Sequence, residues 1–160
     1  MTEDARFEDG AERPLRLRAE SPEDLAVMAA LLQDAVAQTS EVAWTRRKHR
    51  FSLLLSRFRW EDAQAAAKQG RPFERVRAVL AIDGVLNART SGVDPRDRDL
   101  VLELLTLAFD PGPDGGGTLR LVLAGDGEIA LDVECLDLWL ADVNRPHLAL
   151  AQTAPSHPLD

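Results

Sequence analysis

The chain has 160 residues, 45% hydrophobic and 29% charged, with a formal net charge of −8; this is the length of one domain and enough to bury a core without covalent staples. The single cysteine, Cys135, excludes an intramolecular disulfide, and the acidic balance opposes long-range attraction to nucleic-acid phosphates. No apolar run reaches the roughly 20 residues of a membrane span, and the acidic N-terminus lacks the apolar stretch of a signal peptide, so the reading is a cytoplasmic bacterial protein with no membrane association.

Residues 1–13 and 151–160 read as disordered tails around a single α+β domain, 14–150. Leu15-Arg16-Leu17-Arg18 alternates like a short strand. Ser21-Pro22-Glu23-Asp24 opens a helix: Ser21 caps, Pro22 fits the first helical position and Asp24 closes a box-like arrangement. Leu25, Met28, Ala29, Leu32, Ala35 and Val36 form its buried stripe. A hairpin follows in which Trp44 pairs with Phe51 and Val42 with Leu53, leaving Arg46-Arg47-Lys48-His49 at the turn. The apolar parity slips between Leu55 and Phe58, which predicts a bulge. Residues 61–72 read as a loop with a helical turn.

Val76 to Ile82 and Val85 to Thr90 flank Asp83-Gly84, a hairpin-turn signal. Asp94-Pro95-Arg96-Asp97 repeats the earlier helix opening, and Leu100, Val101, Leu104, Leu105 and Ala108 form the stripe of a second helix. The two matching helix starts suggest a tandem β-α-β-β duplication; the alternative is that such an opening is simply common. After a Gly/Pro loop from Pro111 to Gly117, apolar residues fall at 119, 121 and 123 and again at 129, 131 and 133. A three-residue loop, Gly125-Asp126-Gly127, would pair Leu123 with Ile129, Leu121 with Leu131 and Leu119 with Val133. One face is then continuously apolar, and Gly127 holds the left-handed position. Glu134 to Val143 reads as a C-terminal helix with Leu136, Leu140 and Val143 on one face. The predicted fold is α+β: antiparallel, hairpin-rich sheet of about seven strands, with two main helices and the C-terminal helix. The alternative is a pleckstrin-homology-like barrel capped by that last helix.

The stretches Leu15-Arg16-Leu17-Arg18-Ala19-Glu20, Leu31-Leu32-Gln33-Asp34-Ala35-Val36, Arg57-Phe58-Arg59-Trp60-Glu61, Asn87-Ala88-Arg89 and Asp132-Val133-Glu134-Cys135-Leu136-Asp137 carry a resemblance. The chain resembles, over about residues 15 to 145, an alphaproteobacterial family known only as a domain of unknown function. The resemblance implies a cytoplasmic globular domain and assigns no activity, cofactor or catalytic residue.

Charge is unevenly placed. Residues 40 to 60 hold Arg46, Arg47, Lys48, Arg50, Arg57 and Arg59 against Glu41 alone, with Trp44, Phe51, Phe58 and Trp60 interleaved. Such a basic hairpin suits RNA or another anion; it equally suits a solvated tip that deters edge pairing. Arg57 and Arg59, with Trp60 and Glu61, are candidates to grip a carboxylate or phosphate in a concave pocket. Ion pairing with neighbouring strands is the competing and preferred account. Glu134 and Asp137, with Asp132 and Asp142, have acid/base chemistry but no dedicated metal loop. Cys135 reads as a small buried hydrophobe, and His49, His147 and His157 lack metal-ligand spacing. Gly115-Gly116-Gly117 precedes a strand rather than a helix, so it fails as a phosphate loop. No cofactor and no metal is expected. The leading function is a non-enzymatic binding or interaction module that forms a homodimer through its opposed basic and acidic surfaces. The alternatives are a binding protein or enzyme for an anionic small molecule using Arg57, Arg59 and Glu61, and RNA binding through residues 46–50.

Overall fold

In a computed structural model the structure describes residues 14–143 and 147–148. The expected terminal tails lie outside the described residues. The strands are β1 (Arg16–Ala19), β2 (Val36–Gln38), β3 (Val42–Thr45), β4 (Arg50–Phe58), β5 (Glu74–Asp83), β6 (Val85–Ser91), β7 (Val101–Pro111), β8 (Gly117–Leu123), β9 (Glu128–Val133), β10 (Leu138–Asp142) and β11 (His147–Leu148). Helix α1 (Pro22–Leu32) follows β1, and the short α2 (Ala63–Gln69) precedes β5. The strands form one open sheet in the order β1-β10-β5-β4-β2-β7-β8-β9-β6, with β3 paired to β4 and β11 to β5. Every ladder is antiparallel. The α+β class holds, but with eleven strands among the described residues rather than about seven.

Local chemistry explains the first half. The Asp24 N–H donates to Ser21 Oγ at 3.2 Å, and the Asp24 carboxylate reaches back to the Glu20 N–H at 3.1 Å. Leu25, Met28, Ala29 and Leu32 are buried along α1. The helix stops earlier than its apolar stripe predicts: Asp34 takes a left-handed φ of 66°, and Val36 already belongs to β2. The β3–β4 hairpin has the expected register, Val42 opposite Leu53 and Trp44 opposite Phe51. Residues Arg46–Lys48 make a 3-10 turn closed by His49 in a left-handed conformation. The predicted bulge near Leu55 is absent, since β4 pairs with β5 without interruption from Arg50–Asp83 to Phe58–Arg75. The parity slip has another cause: Arg57 occupies the inward position after Phe51, Leu53 and Leu55, and Phe58 is buried on the opposite face.

The second half departs further from its predicted elements. Residues 101–111 form β7, not a second helix. Leu102, Leu104 and Leu107 are buried, and a register shift between Leu104 and Thr106 disguises the strand period as a helical one. Asp94 does not cap a helix; its Oδ1 accepts the Arg96 N–H at 3.0 Å in a local turn. The duplication loses its basis with that helix. The C-terminal helix is likewise β10, where Leu138 and Leu140 point inward and Trp139 outward. Leu136, Leu138 and Leu140 fit a period of two as well as any helical stripe, and β1 and β5 on either side decide the matter. Without that helix the pleckstrin-homology-like barrel has no cap.

Asp83-Gly84 is a corner rather than a hairpin. Gly84 has φ 71°, yet β5 pairs with β4 and β10 while β6 pairs with β9. The Glu134 N–H donates to the Gly84 carbonyl and the Val85 N–H to the His49 carbonyl, each at 2.9 Å. The closing hairpin forms two residues out of the expected register, with Leu119 opposite Leu131 and Leu121 opposite Ile129. A shift of two preserves every side-chain face. The left-handed residues are Gly125 and Asp126, and a Cβ on Gly127 would stand 2.9 Å from Val93 Cγ2.

The core lies where the inner faces of the folded-over sheet meet under α1. Leu53 and Leu55 of β4 share one small void with Leu121, Leu123 and Ile129 of β8 and β9. Leu119, Leu121, Leu131, Leu138 and Leu140 are almost wholly excluded from solvent, each contributing about 1.5–3 kcal/mol of transfer free energy.

Candidate functional site

The run Arg57-Phe58-Arg59-Trp60-Glu61 is brought together, but its groups face one another and their neighbours. Arg57 is 0% exposed. Its Nε and Nη2 donate to the two carboxylate oxygens of Asp142 at 3.0 and 3.1 Å. Its Nη1 and Nη2 donate to Glu61 at 2.9 and 2.7 Å, and Nη1 also reaches the Phe58 carbonyl at 3.3 Å. All five guanidinium N–H groups are engaged. Burial alone would lower the Arg57 pKa, but hydrogen bonds and charge from Glu61 and Asp142 outweigh it and hold the guanidinium firmly protonated. Burial likewise favours the neutral Glu61 acid, and the Arg57 hydrogen bonds outweigh it, keeping this carboxyl below its usual range.

The other residues of the run fasten further elements. Phe58 meets Trp60 edge-on at 4.8 Å between ring centroids and Phe73 at 5.7 Å. Arg59 pairs with Glu74 at the start of β5 and with Asp62, which also takes two bonds from Arg71. The Trp60 Nε1–H donates to the Gln33 carbonyl just beyond α1 at 2.9 Å. An external carboxylate at Arg57 would have to displace Glu61 or Asp142.

The basic turn is built differently. Arg50 is held by Asp83 at 2.7 and 3.2 Å. Arg46, Arg47 and Lys48 are exposed and make no ion pair with a described residue. Their neighbouring rings do not share that outer surface: Trp44 and Phe51 turn inward.

They turn into a cleft of about 300 Å³ that the sequence did not disclose. β3 pairs only with β4, and β6 only with β9, so each presents a free edge among the described strands. The β3–β4 turn meets the start of β6 at the Val85–His49 hydrogen bond, and the cleft lies between β3 and β6. One wall is Val42 and Trp44 of β3 with Phe51 of β4; the other is Ala88 and Thr90 of β6 with Ile129 of β9. Leu102 and Thr39 lie between these walls, and Val93, Pro95 and Arg98 come from the β6–β7 connection. That connection is fixed by backbone bonds from the Thr39 N–H to Leu100 and the Ser40 N–H to Arg98, at 2.9 and 3.1 Å. A second depression, about 180 Å³, lies beside Val36, Leu54 and Val101, where the charges of Glu41 and Arg77 neutralise each other at 2.9 Å.

Trp44 and Phe51 were visible as interleaved aromatics. Arg98 carries no such signal: it is one of two arginines, with Arg96, set among Asp94, Asp97 and Asp99. Among the described residues no cluster of three or more His, Cys, Asp or Glu could hold a metal ion. Asp132, Asp137 and Asp142 are paired with Arg89, Arg18 and Arg57. Cys135 is exposed between β9 and β10, not buried as expected. Among the described residues no helix is long and apolar enough to cross a membrane. His49 sits in the basic turn, the side chain of His147 lies outside the described set, and so does His157.

Fold and cleft together define an antiparallel-sheet α+β protein with an apolar recess between two strand edges. The sequence profile of a family described as protein of unknown function (DUF2948) matches residues 15–157, and the chain belongs to that family. No curated protein and no solved structure matches the chain.

Proposed function

We propose that the protein is a binding module whose ligand seats in the cleft between β3 and β6. The observation that carries this reading is an apolar recess of about 300 Å³ walled by two aromatic rings and bordered by few polar groups. Recesses of roughly this size and composition are where small molecules bind. Arg57, Arg59 and Glu61 then serve as a structural joint, their groups consumed by one another and by neighbouring acids. The inward turn of Trp44 and Phe51 favours a small ligand over a nucleic-acid strand, because it leaves the Arg46–Lys48 turn without those rings for base stacking.

Phenylpropanol, titrated into the full chain, tests the reading through the three tryptophan indole N–H resonances. Trp44 lines the cleft, while Trp60 is tied to Gln33 and Trp139 lies under Arg18 on the outer face. Saturable movement of the Trp44 resonance alone is expected, with loss of binding in Ala88→Phe, which fills the recess. No movement at Trp44, or equal binding by a folded Ala88→Phe protein, would overturn the proposal.

A further inference from the structure

We infer that the ligand class is a small amphipathic acid: one ring or a short chain, ending in a carboxylate held by Arg98. This rests on the cleft being the binding site. Among the described residues Arg98 is the only charged one in the lining. Its guanidinium makes no ion pair with a described residue. The acids beside it are otherwise engaged or turned away: Asp94 holds Arg96, Asp97 accepts the Asp99 N–H at 3.2 Å, and none of the three lines the cleft.

The remaining polar groups point to an acceptor. The Thr39 and Thr90 hydroxyls spend their protons on the carbonyls of Asp97 and Val93. The Trp44 indole N–H finds no acceptor among the described residues. The side-chain donors left over in the lining are the Arg98 fork and one indole N–H, and the fork matches a carboxylate. Arg46, Arg47 and Lys48 lie two to four residues beyond Trp44 in the same hairpin but do not line the cleft. At about 30 Å³ per water-sized unit the recess holds about ten non-hydrogen atoms, which limits the ligand's apolar body.

Phenylpropanoate, phenylpropanol and phenylpropylammonium form a near-isosteric series that separates the class from the site. The acid is expected to bind at least about tenfold more tightly than the alcohol, and the ammonium more weakly than both. Arg98→Gln, at an exposed loop position, should abolish the acid's advantage over the alcohol while leaving the unfolding midpoint unchanged. Equal binding of acid and alcohol at Trp44, or an acid preference surviving in Arg98→Gln, would overturn the assignment and leave the cleft standing. If the preference instead disappears only when Arg46, Arg47 and Lys48 are replaced by Ala, the carboxylate belongs at the turn and the assignment to Arg98 falls. Failure of all three compounds to move Trp44 would sink the cleft reading with it.

Discussion

Arg57 lies at the inward-facing end of β4, where the pattern of the strand calls for another leucine. It is fully excluded from water and Asp142 is nearly so. Such a pair contributes little net stability when intact, but removing one partner strands the other charge. Arg57→Leu is therefore expected to cost about 3–5 kcal/mol, read as a fall in the urea midpoint. Arg57→Lys should recover only part of it, because a single ammonium cannot span two carboxylates as a fork does; full recovery by Lys would show that charge alone matters. Glu61 adds a pH dependence. Its folded-state pKa lies below the unfolded value, so its contribution is fully present above the ordinary carboxylate range near pH 4.3 and is lost as pH falls through the lower folded value. Glu61→Gln should make the acid limb of the stability profile shallower. An unchanged limb would remove Glu61 from acid unfolding. The sequence marked these residues by a broken parity and assigned the break to a bulge. Pattern alone could not show a buried cation, because its partner Asp142 is far away along the chain and meets it only through the β10–β5–β4 order.

At the scale of elements, the segments with short-range determinants were legible. The Ser21 cap, the Trp44–Phe51 hairpin register and the apolar face of β8 and β9 follow from residues a few positions apart. β7 and β10 were read as helices because a run dense in leucine satisfies both periods. Their strand state comes from partners: β2 and β8 for β7, β1 and β5 for β10. Gly84 illustrates the same limit. Its residue type announces a left-handed position correctly, but the two strands it joins go to different neighbours. Gly84→Ala should cost about 1–2 kcal/mol, the penalty of a Cβ in that backbone region. An unchanged denaturation midpoint would show that the corner adjusts freely.

At the scale of the whole molecule, the folded-over sheet produces both the core and the cleft. β3 covers only half of β4, β6 ends the sheet order, and the space between those two edges is occupied by no described strand. Many surface charges find opposite partners within the protomer, including Arg50 with Asp83, Arg89 with Asp132 and Arg120 with Asp110. Arg98 and the Arg46–Lys48 turn find no ion-pair partner among the described residues. The sequence by itself determined an amphipathic antiparallel α+β chain, its first helix and the β3–β4 hairpin, because caps, turns and alternation act over a few residues. Only the tertiary structure decided that Arg57 is a buried joint, that β7 and β10 are strands and that a recess opens beside Arg98. Those outcomes depend on which distant strands become neighbours, and strand pairing is settled by burial of the whole sheet rather than by any local stretch.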